Sequence, residues 1–273
     1  HNLTRRCLYL LAGLACENGC LHGTIFEEPE PHAQKGQFLL DYSLLYNVTL
    51  LDYLRSTGDH TTANDLWPVA LRQLDNILPY LQNNGLLDYN RANQEWWIFF
   101  DWRDGLHKEI ALHGLTIFAL QRTYELGCEL GHVDDVKALP KTIQRMRLAA
   151  RKNYYDSNSG LFIGQLDDQI SYLSQIWASL SGIATHKEAQ RALLAINQEK
   201  EAIRPGTPYA VHYYIQALVD CGLEEEARKQ LCDYWGGMIT KGADTFWETY
   251  DPQNDFLSPY NFYPMNSYCH AWS

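Results

Sequence analysis

The strongest constraint on this chain is a repeat. A helical stretch ends at a glycine signal and a short apolar extended piece follows, as in Asn18-Gly-Cys-Leu-His-Gly23, Asn84-Gly-Leu-Leu-Asp-Tyr89, Ser159-Gly-Leu-Phe-Ile-Gly164 and Lys241-Gly-Ala-Asp-Thr-Phe-Trp247. Glycine after a last helical turn tolerates the left-handed backbone that closes it. Pairs of helices lie between these marks. Asp41 to Ser56 is apolar on most sides (Leu44, Leu45, Val48, Leu51, Leu54), and Thr61 to Leu81 is more amphipathic, with Pro68 and Pro79 placed to kink and stop it. His107 to Leu130 is again apolar, breaks at Gly131, and precedes a charged helix from about Val133 to Tyr154. A third pair runs Ser171 to Ala184 then His186 to Ile196, and a fourth Thr207 to Cys221 then Leu223 to Tyr234.

A helix apolar nearly all round is buried, and one with a charged face lies outside. Inner and outer helices alternating through short turns describe a closed double ring, an all-α (α/α) barrel. An open solenoid would not need first helices so uniformly apolar. No segment alternates with period two, so strands should be few and short. The pattern supplies nine helices and the start of a tenth at Asn266, whereas a six-hairpin toroid needs twelve. The chain opens inside an amphipathic pattern (Leu3, Cys7, Leu10, Leu11, Leu14) and stops as a new segment begins. The expectation is one domain over residues 1–273, incomplete at both ends, excised from a longer polypeptide.

Composition narrows the partners. A net charge of −11 without any Lys/Arg cluster disfavours nucleic acid and anionic membrane surfaces. No apolar run approaches the roughly 18 to 20 residues of a membrane span. The seven cysteines are odd in number and scattered; Cys16 and Cys20 are close, but no second pair completes a metal pattern. Reduced thiols without a disulfide framework are the simplest reading. The sequons Asn2-Leu-Thr4 and Asn47-Val-Thr49 are too common to argue for secretion, so the compartment stays open.

In such a ring, segments running from an outer helix into the next inner one emerge at the same end. The unusual residues collect there: Ile25-Phe-Glu-Glu-Pro-Glu-Pro-His32 leading to Tyr42, Gln94-Glu-Trp-Trp-Ile-Phe-Phe-Asp-Trp-Arg-Asp104 leading to Glu109, Gln165-Leu-Asp-Asp-Gln169, and Asp244 through Glu248 to His270. Glu248 stands directly beside Trp247 and is framed by Asp244, Asp251 and Tyr250. A sugar ring needs that combination, an apolar platform for its C–H face and a carboxylate at its reacting carbon. With 18 Tyr and 8 Trp the chain can furnish such platforms, although aromatic residues are more often core.

Each candidate has a plainer reading. Glu27, Glu28 and Glu30 among prolines read as solvated loop charges, and Asp104 as a helix cap after Gly105. Glu109 fits a helix-dipole role as well as a site. Trp96, Trp97, Phe99 and Phe100 form an apolar run and are mostly core, which leaves Trp102, between Asp101 and Arg103, as the best platform. His113 and His212 read as core residues, whereas His270 lies on the segment that leaves Glu248. There is no phosphate-binding Gly loop, Gly-x-Ser-x-Gly elbow or His-Glu-x-x-His, and no cofactor is expected.

Gly242-Ala-Asp-Thr-Phe-Trp-Glu248 followed by Asn266-Ser-Tyr-Cys-His270 resembles the end of the catalytic domain of bacterial α-L-rhamnosidases of glycoside hydrolase family 78. Phe100-Asp-Trp102, Lys108-Glu109 and Thr207-Pro-Tyr209 recur in matching order, so the resemblance covers essentially the whole chain. It implies an (α/α)6-barrel that hydrolyses terminal α-L-rhamnose with inversion, a rhamnoside as the carbohydrate partner, and Glu248 as the general base that activates water. It further implies that Trp102 lines the −1 subsite and His270 bonds the sugar, with Asp101, Trp247 and Tyr42 as further contacts. The family's acid-bearing run, ending in Trp-x-Gly-Asp, is absent, and by order it belongs upstream of His1 among the remaining domains of the same polypeptide. Inversion needs two carboxyl groups about 6.5 to 9.5 Å apart. The expectation is therefore a fragment inactive alone, from a parent that is an enzyme. The rivals are another (α/α)6 glycosidase or an unsaturated glucuronyl hydrolase, which asks for cations opposite the carboxylate where only Arg103 stands near Trp102, and a non-catalytic helical-repeat module that binds a glycan or a partner.

Overall fold

The computed structural model describes residues 1–166, 168–260, 262 and 265–272. These form helices and two short antiparallel ribbons, organised as two compact units: His1–Phe99 with Leu115–Ala150, and Phe100–Gly114 with Arg151–Ser273.

The first unit holds α1 (Asn2–Gly13), the ribbon of β1 (Ile25–Phe26) and β2 (His32–Ala33), α2 (Leu40–Thr57), α3 (His60–Ile77) and the short α4 (Tyr89–Glu95). It also takes the later part of α5 (Glu109–Leu130), then α6 (Val133–Val136) and most of α7 (Leu139–Tyr154). Leu40, Leu44, Leu50 and Leu51 of α2 are fully buried, whereas α3 keeps a solvated face, as an inner and an outer helix should. Gly58 (φ 68°) ends α2, and the Asp59 carboxylate accepts the Thr62 N–H (3.0 Å) and hydroxyl (2.7 Å) to start α3. The α3 helix continues through Pro68, and Pro79 falls in the 3-10 turn that ends it. Asn47, the asparagine of one sequon, is buried and donates to Ala70 O and Thr123 Oγ1, so it is closed to glycosylation.

The sequence pattern misses α4 and reads 133–154 as one helix. The structure breaks that stretch before Leu139, because Pro140 has no N–H to donate and suits the first turn of a new helix. No helix begins at Asn266 either; the described residues 265–272 are irregular. The four repeat glycines, Gly19, Gly85, Gly160 and Gly242, all adopt positive φ (84°, 91°, 78° and 96°), the conformation their positions call for.

The second unit contains the start of α5, the ribbon of β3 (Tyr155–Asp156) and β4 (Leu161–Phe162), and two helix pairs: α8 (Tyr172–Leu180) with α9 (His186–Ala195), and α10 (Pro208–Asp220) with α11 (Glu224–Thr240). Trp177 is fully buried on α8, 5.8 Å from the Phe100 ring and 4.7 Å from the Tyr213 ring. Gly114 lets α5 close on it: a Cβ there would meet Trp177 O at 2.6 Å. Thr185 opens α9 with a reciprocal capping box to Glu188. Thr185→Ala is expected to cost about 1 kcal/mol of stability, read as a lower urea midpoint at unchanged slope.

Candidate active site

Connecting segments of the second unit lie side by side. His107 N–H donates to Gln169 Oε1 (2.9 Å) and Gln169 Nε2 to Gly105 O (2.8 Å). Tyr172 N bonds Ile203 O (3.1 Å), and Ile203 N bonds Ile170 O (3.0 Å). Tyr250 N then bonds Gly206 O (3.1 Å). Within this unit the segments that lead into α5, α8 and α10 are thus laced to one another and to the run after α11. Asp167, in one of them, lies outside the described residues.

Glu248 sits in an irregular run held against 267–270 by Glu248 N to Ser267 O and His270 N to Phe246 O, both 2.8 Å. Its side chain lies inside, with only 2 % of the residue exposed. Three donors reach the carboxylate: Trp102 Nε1 to Oε1 (3.2 Å), Ser267 N–H to Oε2 (3.2 Å), and the Tyr260 hydroxyl to both oxygens (3.1 and 3.2 Å). His270 Nδ1 is 3.9 Å from Oε2, with the ring on Trp272 at 4.4 Å. The Tyr260 phenol stands 6.1 Å from the Trp102 ring. Burial, and next the Glu248 charge, push the Tyr260 hydroxyl up, so it remains a donor at neutral pH.

The structure brings Glu248, Trp102 and His270 together, and adds Tyr260 and Ser267, which the sequence reading did not single out. It does not bring the side chains of Trp247 and Asp101 to them. Trp247 packs edge-on to Tyr268 (5.3 Å) and lines a separate cavity of about 370 Å³ with Tyr250 and Asn266. Asp101 is 3 % exposed and accepts from Gly206 N (3.0 Å), Thr207 N (3.3 Å) and Thr207 Oγ1 (3.1 Å), so its oxygens are engaged with backbone and hydroxyl rather than open to a sugar. Burial raises its pKa to about 6, against the pull of those bonds and of Arg103.

Other expectations are corrected. Asp104 does not cap α5, which starts only at Glu109. Glu109 serves as a tie, accepting from Tyr154 OH (3.0 Å) and Gln165 N (3.1 Å). Of the framing residues, Tyr250 is buried edge-on to Tyr234 (5.3 Å), and Asp251 is bound by Arg103 (2.9 Å). A larger cleft of about 820 Å³ runs past Arg103, Arg204, Tyr172 and Tyr234; neither Glu248 nor Trp102 lines it. Tyr42 belongs to the first unit, half-buried in the first turn of α2 and edge-on to Phe99 at 6.1 Å. Glu27, in the same unit, is exposed and paired with Arg6 (2.9 Å). No three His, Cys, Asp or Glu among the described residues are grouped to hold a metal.

No curated protein matches the chain. Among solved structures, a rhamnosidase from Klebsiella oxytoca with rhamnose bound is 38% identical with a TM-score of 0.93, covering 100% of this chain and 52% of that one. The GH78 family rhamnosidase of Bacillus sp. GL1 is 20% identical at TM-score 0.76, covering 99% and 28%. The Streptomyces avermitilis α-L-rhamnosidase complexed with L-rhamnose is 18% identical at 0.68, covering 96% and 24%. The last two speak to the fold alone. The chain spans about half the length of the first and about a quarter of the others. Residues 2–273 match the model of the bacterial alpha-L-rhamnosidase 6 hairpin glycosidase domain. The architecture is therefore of the all-α, (α/α)6 six-hairpin class, and the chain belongs to that rhamnosidase domain family, as the resemblance to glycoside hydrolase family 78 implies.

Proposed function

We propose that the protein carrying this chain hydrolyses terminal non-reducing α-L-rhamnose from rhamnosides with inversion, and that Glu248 is its general base. The observation that carries the reading is the buried Glu248 carboxylate, oriented by Trp102, Tyr260 and Ser267 beside His270, in a chain of this family. Glu248 takes a proton from water as the water oxygen attacks the anomeric carbon, while a second carboxyl protonates the departing glycosidic oxygen. The reacting water needs a carboxylate oxygen, so the Tyr260 hydroxyl, now shared between both, gives one up. The partly exposed Trp102 indole offers the platform for the sugar's C–H face, and His270 a hydrogen bond to a hydroxyl.

Asp101, Asp251 and Glu109 are each held by other partners, so we assign the acid to a carboxyl outside these residues. The other glycosidase and helical-repeat readings are not favoured by the family match. The test is hydrolysis of p-nitrophenyl α-L-rhamnoside beside a panel of other aryl glycosides, with the anomeric form of the first product followed by NMR. Rhamnoside cleavage that releases the inverted anomer is expected. Cleavage of another glycoside alone discards rhamnose, and a folded protein active on no glycoside discards the enzyme reading.

A further inference from the structure

We infer that Asp101, Arg103, Gly206 and Asp251 form a clasp whose work is to position the Trp102 indole against Glu248, with Gly206 as the residue on which it closes. The inference rests on the reading of Glu248 as the base. Trp102 has a pinned residue on either side. On one, Asp101 is bound by the backbone of Gly206 and Thr207. On the other, Arg103 donates to Arg204 O (3.1 Å), Pro205 O (3.4 Å) and Asp251 Oδ2 (2.9 Å). The contacts close on themselves. Asp101 holds Gly206 N, Gly206 O takes the Tyr250 N–H, Tyr250 lies two residues from Glu248, and Glu248 accepts from Trp102. Asp101, Gly206, Glu248 and Tyr250 are all buried, so water does not compete for these links.

Helix capping does not account for the arrangement. Thr207 already caps α10 with its own hydroxyl, which accepts from Ala210 N (3.2 Å). A buried carboxylate is a poor device for stability, since desolvation offsets much of what its bonds return. The raised pKa of Asp101 reports that cost. Geometry is what the clasp supplies. Phe100, in front of it, holds a positive φ (56°) that few aromatic residues adopt, as backbone fixed by its surroundings can. Gly206 leaves no slack: a Cβ there would lie 2.8 Å from Arg103 Nε and 3.1 Å from Asp101 Oδ1.

The test is Gly206→Ala in the full-length protein, alone and with Trp102→Phe, beside Arg103→Lys as a second way to loosen the clasp. Arg103→Lys keeps a cation opposite Asp251 but gives up the fork to Arg204 and Pro205. We expect Gly206→Ala to lower kcat by about 10- to 100-fold with KM changed by less than about threefold. In the Trp102→Phe background the same change should cost less than about twofold, because the device acts through that indole. Independently of activity, the Trp102 indole N–H resonance, assigned by its loss in Trp102→Phe, should move in Gly206→Ala and in Arg103→Lys. Equal loss of kcat in both backgrounds, or an unmoved indole resonance, overturns the clasp. If Gly206→Ala does not fold, Arg103→Lys provides both readings. If the wild type cleaves no rhamnoside, the function falls, and the resonance still decides the clasp.

Discussion

Glu248→Gln is expected to lower kcat on an aryl α-L-rhamnoside by about 10³-fold or more while KM changes little. Glutamine matches glutamate in shape and keeps one oxygen, for the Tyr260 hydroxyl and either the Trp102 indole or the Ser267 N–H. Its amide nitrogen cannot take a proton from water, so the loss falls on the step in which water attacks. The new NH2 also faces either the Ser267 N–H or the Trp102 indole, donor against donor, a modest local cost. Steady-state kinetics separate the outcomes: a rise in KM at constant kcat would make Glu248 a sugar contact, and an active Gln variant would move the base elsewhere.

Trp177→Ala is expected to remove about 3 to 5 kcal/mol of stability, the range for truncating a large buried aromatic. Domains of this size are stable by roughly 5 to 15 kcal/mol, so the variant stands near unfolding at physiological temperature. The site sets this residue apart from other core positions. Trp177 fills the space against Phe100, whose unusual backbone precedes Asp101 and Trp102. A cavity there frees Phe100 to relax, and kcat should fall further than the folded fraction does. Urea unfolding gives the first quantity, and kcat divided by the folded fraction read from circular dichroism gives the second. A midpoint close to wild type would show that the surrounding helices collapse into the space.

The helical hairpins were legible because helix signals are local: apolar spacing, a capping threonine and a terminal glycine act within a few residues. Where the reading slipped, the signal was local too but outweighed. Pro140 began a helix inside a stretch whose charge pattern looked continuous, and α4 was too short to show a period. At Asn266 the backbone follows the Glu248 run instead of coiling. The motifs pointed to Glu248, Trp102 and His270, which the fold brings together. Asp101 and Trp247 adjoin those residues in sequence, but Asp101 is drawn to the backbone of Gly206 and Thr207 and Trp247 packs on Tyr268, contacts that only the tertiary fold supplies. Tyr260 lies in no motif, and Ser267, although inside Asn266–His270, acts through a backbone N–H that its side chain does not advertise. Only the return of the chain past Glu248 places a phenol and a peptide N–H on its oxygens.

The Trp102–Glu248 and Arg103–Asp251 contacts span 146 and 148 positions, whereas each helical hairpin closes within a few tens of residues. Loop-closure entropy therefore sets an order of events: hairpins condense early, and these pairs meet late. A ribosome must deliver the chain through Glu248 before the carboxylate finds its indole. Nascent chains and partly folded states therefore carry helices but no assembled site, and recovery of activity after refolding reports completion of the fold where recovery of helical signal does not.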